Sequence, residues 1–305
     1  MKRTFLLALL AAACSSPTLV VAARLAPGGG TGGGGGAANV SGDTLDILVL
    51  MESDATDFNP GDLIRLLVNG VDRTEDVVLG GHYGLLRLDP SPIGAVQFVE
   101  LFRRTGPVLD TFTFNPVALG AGPTLANVVP DQARVGEQVV LSGSGFDGGP
   151  VRVFLGGIEA TVVAFDPTSV TVTVPAGAIP GLAYVLVGAE AAQGVVPFRP
   201  LDAAGQPVPA PTSGMRLFAA FPGRGRIETV VEIWGLNLDD RALPRFNDRF
   251  SSRIFPPETV TLPLIGDVER SFAVVGIHTM PGTGFLRLDL GRNVSNELPF
   301  TVDGP

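Results

Sequence analysis

His82 and His278 are the only two histidines among 305 residues, and they stand far apart in the chain. A hydrolytic triad needs a nucleophile, a base and an orienting acid that converge in space. Neither histidine has such partners at a recognisable spacing. His82 follows Gly80-Gly81 in what reads as a loop, and His278 falls near the end of a strand pattern. Gly143-Ser144-Gly145-Phe146-Asp147-Gly148 fits G-x-G-x-x-G letter for letter. A dinucleotide site also needs a helix directly after that turn, to receive the pyrophosphate. Gly149-Pro150 and another strand pattern follow instead, so the reading is a glycine-rich turn. Carboxylates for glycoside hydrolysis must face each other at about 5–9.5 Å across a cleft, and the short modules described below leave little room for one. The best acidic cluster is Glu52, Asp54 and Asp57, with the amide of Asn59 and then Asp62 after them. Calcium takes about six to eight oxygen ligands from flexible loops, but Pro60 and Gly61 stand where an EF-hand loop needs donors. Asp54 and Asp57, with Asp239 and Asp240 later in the chain, are calcium candidates set against a default of solvated turns. No catalytic set and no cofactor are expected.

Cys14 is the only cysteine. It cannot form an internal disulfide, so its thiol needs another explanation. The chain opens on the basic Met1-Lys2-Arg3 and continues with an apolar run from Phe5 to Ala13, well short of the roughly 20 residues that span a bilayer. That layout is a secretory signal with small residues at its end. Ala11-Ala12-Ala13-Cys14 resembles a bacterial lipobox, with Ala11 in place of the usual leucine. The resemblance implies a lipid on Cys14 and a mature chain that begins there. Ser15, a non-aspartate after the cysteine, implies the outer membrane. The alternative is ordinary cleavage and a soluble exported protein.

The formal net charge is −9. Phosphate backbones are bound by clustered Lys and Arg, and Lys2 is the only lysine, so nucleic acid is not an expected partner. Frequent Gly and Pro (40 and 26 residues) interrupt short Val- and Leu-rich runs. That pattern suits strands joined by turns, not long helices.

Those strands fall into modules. After the signal at 1–13, residues 14–41 read as a tether, dominated by the glycines from Gly28 to Gly36. A coil of that length has a root-mean-square reach of about 25–30 Å. The first module spans 42–118, with strand patterns at 45–50, 63–68, 83–88, 95–102 and 111–114 and a hairpin signal at Asn69-Gly70. The second spans 122–200. A proline-rich linker at 201–212, with Pro207, Pro209 and Pro211 alternating, is expected to be extended and semi-rigid. The third module spans 213–303. A frame recurs between the second and third: Pro130 precedes Gly143 by thirteen residues, and Pro222 precedes Gly235 by thirteen. Both modules close on Val196-Pro197-Phe198 or Leu298-Pro299-Phe300. A recurring frame of this kind signals tandem β modules.

The second module carries Val135-Gly136-Glu137-Gln138-Val139, Gly143-Ser144-Gly145-Phe146, Val153-Phe154-Leu155-Gly156-Gly157, Val172-Thr173-Val174-Pro175 and Pro180-Gly181 in that order. It resembles an IPT/TIG domain, which implies an immunoglobulin-like β-sandwich. The third module shares the frame and the close; its Asp239–Arg253 stretch reads as longer and more charged than the matching turn. The first module reads as Ig-like. The fold class expected is therefore all-β, tandem immunoglobulin-like sandwiches after a signal peptide and tether. The fold alone does not set a function.

The functional expectation is a non-catalytic cell-envelope lipoprotein, membrane-held through its lipid, whose modules bind an envelope protein for adhesion or scaffolding. The alternative is a surface glycan-binding protein or an accessory component of a glycan-processing system. The binding-loop candidates lie between Leu238 and Phe255: Arg241, Arg245, Phe246, Arg249 and Phe250, because Arg and aromatics are enriched at interfaces. The competing reading of that stretch is a solvated insertion with both Phe side chains packed inward. Trp234, the only tryptophan, is expected in the core or at a contact between modules. Asn293-Val294-Ser295 reads as a chance match to a glycosylation acceptor.

Overall fold

The computed structural model describes residues 122–304 except 228, 252–253 and 277, and in the earlier part of the chain the segments 18–25, 44–52, 65–68, 71–76, 78–80, 83–92, 97–102 and 108–114. Among the described residues there is no α-helix, and the chain is all-β. Val, Thr and Phe alternate along strands bounded by Gly and Pro, which is what a half-buried pleated surface selects.

The second module closes one hydrogen-bonded path. In spatial order it runs Gln132–Arg134, Val196–Leu201, Gly181–Val187, Val151–Leu155, Ile158–Asp166, Ser169–Thr173, Gln138–Ser144 and Thr124–Val129. The path turns the corner within Ile158–Asp166, whose start pairs with Val151–Leu155 and whose remainder pairs with Ser169–Thr173. Val139, Leu141, Val153, Leu155, Val170, Val172, Val185 and Phe198 fill the space between the two faces and are buried.

The third module repeats this plan. Arg216–Phe221, Val230–Leu236, Gly266–Val274 and Glu258–Leu262 form one sheet, and Arg224–Gly225, Leu298–Val302, Gly282–Leu290, Leu243–Phe246 and Arg249–Phe250 form the other. Its equivalent of the corner strand is split into Arg249–Phe250 and Glu258–Leu262. The Asp239–Arg253 stretch is not longer than its counterpart. Ser142 and Trp234 hold the same register position, as do Asp166 and Glu258, and twenty-four positions lead from Ser142 to Asp166 as from Trp234 to Glu258. The extra length lies further on, where Glu258–Leu262 and Gly266–Val274 extend as a hairpin beyond the Glu258↔Arg270 pair.

The recurring glycine has a backbone cause. In the second and third modules the first strand bulges against the second, between Ser142 and Gly143 and between Leu217 and Ala219. A Cβ on Gly143 would sit 1.9 Å from the Thr124 carbonyl oxygen, and one on Gly235 would sit 2.1 Å from that of Arg216. Only glycine allows strands to approach that closely.

The first module pairs its strands in the same order: Thr18–Leu25, Thr44–Glu52, Tyr83–Pro92 and Val78–Gly80 in one sheet, and Val71–Asp72, Arg65–Val68, Gln97–Phe102 and Val108–Phe114 in the other. Thr18–Leu25 lies inside the segment read from sequence as tether. It is a strand instead, paired antiparallel with Thr44–Glu52 along its whole length. The linker also differs from expectation. Leu201 bridges to Pro207, Asp202 accepts from Gln206, and the Val208 amide returns to the Pro200 carbonyl, so its first half folds back as a turn.

Candidate functional site

Modules two and three share a core. Phe154, Leu182, Tyr184, Leu186 and Ala191 of the second belong to the same apolar cluster as Leu217, Phe218, Phe221 and Trp234 of the third. Tyr184 is fully buried; its ring lies edge-on to Phe221 with centroids 5.6 Å apart and tilted against Phe154 at 6.0 Å. Its hydroxyl donates to the Ala220 carbonyl at 2.9 Å. Burial holds that hydroxyl protonated well beyond the ordinary phenol range. The Asn296 amide spans the junction, donating to the carbonyls of Gly157 and Leu217, each at 3.0 Å. Gly157 and Gly181 are needed for contact, because a Cβ would meet the Leu217 carbonyl oxygen at 2.4 Å and the Phe218 ring at 2.7 Å. Trp234 is buried beside this junction, donates its indole N–H to Glu232 at 2.7 Å, and lies under the Arg270 guanidinium.

The register identifies which surface of module three matches the one module two offers to its neighbour. Leu155 and Phe246 occupy equivalent positions, each next to a two-residue turn. Phe154, Leu182, Tyr184 and Leu186 therefore correspond to Arg245, Phe285, Arg287 and Asp289. The apolar docking face of module two is thus an ion-pair face in module three. Arg287 pairs with Asp289 at 2.9 Å and with Glu297 at 3.0 Å, and Arg245 reaches Asp289 at 3.4 Å. Arg245 also stacks over Phe250 at 4.2 Å, and Arg287 lies 5.4 Å from the Phe285 centroid.

Five residues were singled out from sequence as a binding loop, and the structure separates them. Leu243–Phe246 and Arg249–Phe250 form a hairpin whose tip, Asn247-Asp248, has φ of 47° and 65°. That is the positive-φ pair of a tight hairpin turn. Phe246 is fully buried against Phe300, with centroids 5.0 Å apart, and belongs to the core, not to a contact surface. Phe250 is 48% exposed and Arg249 is exposed beside it. Arg241 is turned to Asp239, which accepts from its Nε at 2.8 Å, its Nη2 at 2.6 Å and its backbone amide at 2.9 Å.

That guanidinium occupies the position a cation would take at Asp239, and its hydrogen bonds hold the carboxyl down at about 2. Among the described residues no group of three His, Cys, Asp or Glu side chains is placed to hold a metal. Asp54, Asp57, His82 and Cys14 lie outside the described residues. His278 is exposed in a turn after Gly266–Val274. Gly143–Gly148 is the end of a strand and a turn leading to Val151–Leu155. Asn293 accepts from the Met215 amide at 3.4 Å. Tyr184, which reads in sequence as one apolar position in a buried strand, was missed as a junction residue. The hydroxyl inside Gly181-Leu182-Ala183-Tyr184-Val185-Leu186-Val187 was the available signal, since a buried tyrosine needs a hydrogen-bond partner.

Residues 123–196 match the family model described as IPT/TIG domain. A search of curated proteins found no match. Among solved structures, the chain is similar to the extracellular region of plexin A4 at 13% identity, over 92% of this chain and 24% of that one, with a TM-score of 0.24. It is similar to SGBP-B of the Bacteroides ovatus mixed-linkage glucan utilization locus, solved with a mixed-linkage heptasaccharide, at 16% identity, over 82% and 64% of the two chains, with a TM-score of 0.23. It is similar to an auxiliary nutrient binding protein from Bacteroides ovatus at 14% identity, over 57% and 46%, with a TM-score of 0.21. The chain spans less than two thirds of the length of each. Likeness at this level carries no argument about ligand or partner.

Proposed function

We propose that this protein is a non-catalytic display protein of the cell envelope, and that the ion-pair face of module three is the surface it presents to a protein partner. The observation behind this reading is the register equivalence. In module two the face built by Phe154, Leu182 and Tyr184 holds another module, whereas in module three the same face carries Arg245, Arg287, Asp289 and Glu297 around Phe250 and Phe285. Arginine stacked on partly exposed aromatic rings is the chemistry enriched at interfaces.

The anchor is a lipid on Cys14 at the outer membrane. With Thr18–Leu25 in the sheet of module one, only Ser15, Ser16 and Pro17 stand between that cysteine and the first strand. The glycine run then falls between the first two strands of a module, not between anchor and array. Module one sits close to the lipid, and reach comes from the length of the array.

Capture from envelope extract on the immobilised protein tests the reading, with bound protein and sugar both analysed. A saturable protein partner that is lost on Phe250→Ala supports it. Polysaccharide retained after protease treatment of the extract overturns it in favour of glycan binding.

A further inference from the structure

We propose that module one docks onto module two in the way module two docks onto module three, through the surface around Ala126, Val129 and Val140. The register of the bulged strand pair fixes the equivalence. Gly143 pairs with Leu125 as Gly235 pairs with Leu217, so Ala126 and Val129 stand where Phe218 and Phe221 stand in module three. Val140 and Ser142 likewise stand where Glu232 and Trp234 stand.

The residue types differ between the two sets, and so does their burial. Phe218, Phe221, Glu232 and Trp234 are buried, and Phe218 and Phe221 lie against Gly181 and Tyr184 of module two. Val129 is 57% exposed, Val140 is 40% exposed, and Ala126 is exposed. Module two therefore carries an uncovered, largely apolar copy of the surface that module three uses to receive a neighbour. Val129 and Val140 pair directly across the two strands, so the exposed apolar residues are contiguous, as a contact surface requires.

The occupant is residues 18–114 of the same chain. The pairing of Arg65–Val68 with Gln97–Phe102 repeats that of Val151–Leu155 with Gly181–Val187, with Val68↔Val99 in the place of Leu155↔Ala183. Leu67, Phe98, Glu100 and Phe102 thus hold the register positions of Phe154, Leu182, Tyr184 and Leu186. Three of the four are large and apolar. Val68 also pairs with Val71 across a two-residue connection, as Leu155 pairs with Ile158.

Chain length agrees. Phe114 and Phe198 are equivalent, each opposite the first residue of the strand beside it. Nineteen positions lead from Phe198 to Leu217 and eleven from Phe114 to Leu125. The longer connection contains the fold-back closed by Leu201 and Pro207 and by Pro200 and Val208, which adds residues without adding reach. Without that excursion the two connections are of similar span.

Cross-linking in the full chain tests the proposal. Gln97 and Ala126 correspond to Gly181 and Phe218, which touch. Gln97→Cys with Ala126→Cys, in a Cys14→Ser background that leaves no other thiol, is expected to be bridged within one molecule by a short bismaleimide. The rate should be at least about tenfold above that of a control pair, Gln97→Cys with Glu159→Cys, whose second thiol lies on the other sheet. Adding Val129→Arg should bring the first rate down to the control. Equal rates for the two pairs would overturn the proposal. That comparison stands even if the arginine variant folds poorly, because both pairs keep Val129.

Discussion

Tyr184 ties two modules together with one ring and one hydroxyl, and its two parts can be separated by substitution. Tyr184→Phe keeps the contacts with Phe154 and Phe221 but leaves the Ala220 carbonyl without its donor. It is expected to cost about 0.5–1.5 kcal/mol in urea unfolding. Tyr184→Ala should cost about 3–5 kcal/mol, because it also leaves a cavity between the modules. The hydroxyl also sets a pH dependence. Its pKa is raised by burial in the folded state, so the unfolded chain releases the proton first. The stability it contributes is fully present below pH of about 10 and declines above that as the unfolded tyrosine ionises. The gap in urea midpoint between wild type and Tyr184→Phe should therefore shrink, then reverse, as pH is raised past that range. Asp239 behaves in the opposite sense: its lowered pKa keeps the Arg241 pair intact until pH falls toward about 2. The alternation in Leu243–Phe250 is a residue-scale feature that sequence carried only in part. Arg and Phe recur there at a spacing that suggested one surface, but the Asn247-Asp248 turn puts Phe246 in the core and Phe250 outside. Phe246→Ala is expected to destabilise by about 3–5 kcal/mol, and Phe250→Ala by no more than about 0.5 kcal/mol, both read from denaturant midpoints.

Strands and turns were the most legible scale, for a reason that lies in the backbone. Gly143 and Gly235 are glycines because a bulged first strand crosses the second too closely for any side chain. A requirement of that kind fixes residue type at one position of the repeat, so it survives as a visible part of the frame. Gly143→Ala should accordingly cost about 1–3 kcal/mol through displacement of the Thr124 carbonyl, measurable by thermal or urea unfolding. Two elements were hidden. Thr18–Leu25 sits between the apolar run from Phe5 to Ala13 and a glycine run, and composition on both sides masks a strand that is identified only by pairing with Thr44–Glu52. The fold-back of the linker depends on Asp202 and Gln206, whose bonding no proline count reveals.

At the scale of the molecule, sequence carried the repeat but not the joint. The residues that fuse modules two and three come from strands in different modules, and each reads locally as ordinary core: Leu182 and Tyr184 in one, Phe218 and Phe221 in the other. Because they share one cluster, the pair should unfold as one unit. In a chain of residues 122–304, the fluorescence of Trp234, a module-three residue beside the junction, should change at the same denaturant concentration as the far-ultraviolet circular dichroism of both modules. Tyr184→Ala should pull the two transitions apart. In module three, Arg245, Arg287, Asp289 and Phe250 stand in place of the apolar docking face of module two. The most direct test of the role proposed for that face is the affinity of a protein captured from envelope extract for wild type, for Arg245→Ala with Phe250→Ala, and for Val163→Ala on module two, where Val163 is exposed. The account predicts at least about a tenfold loss for the double variant and no change for Val163→Ala. Unchanged affinity for the double variant would contradict it.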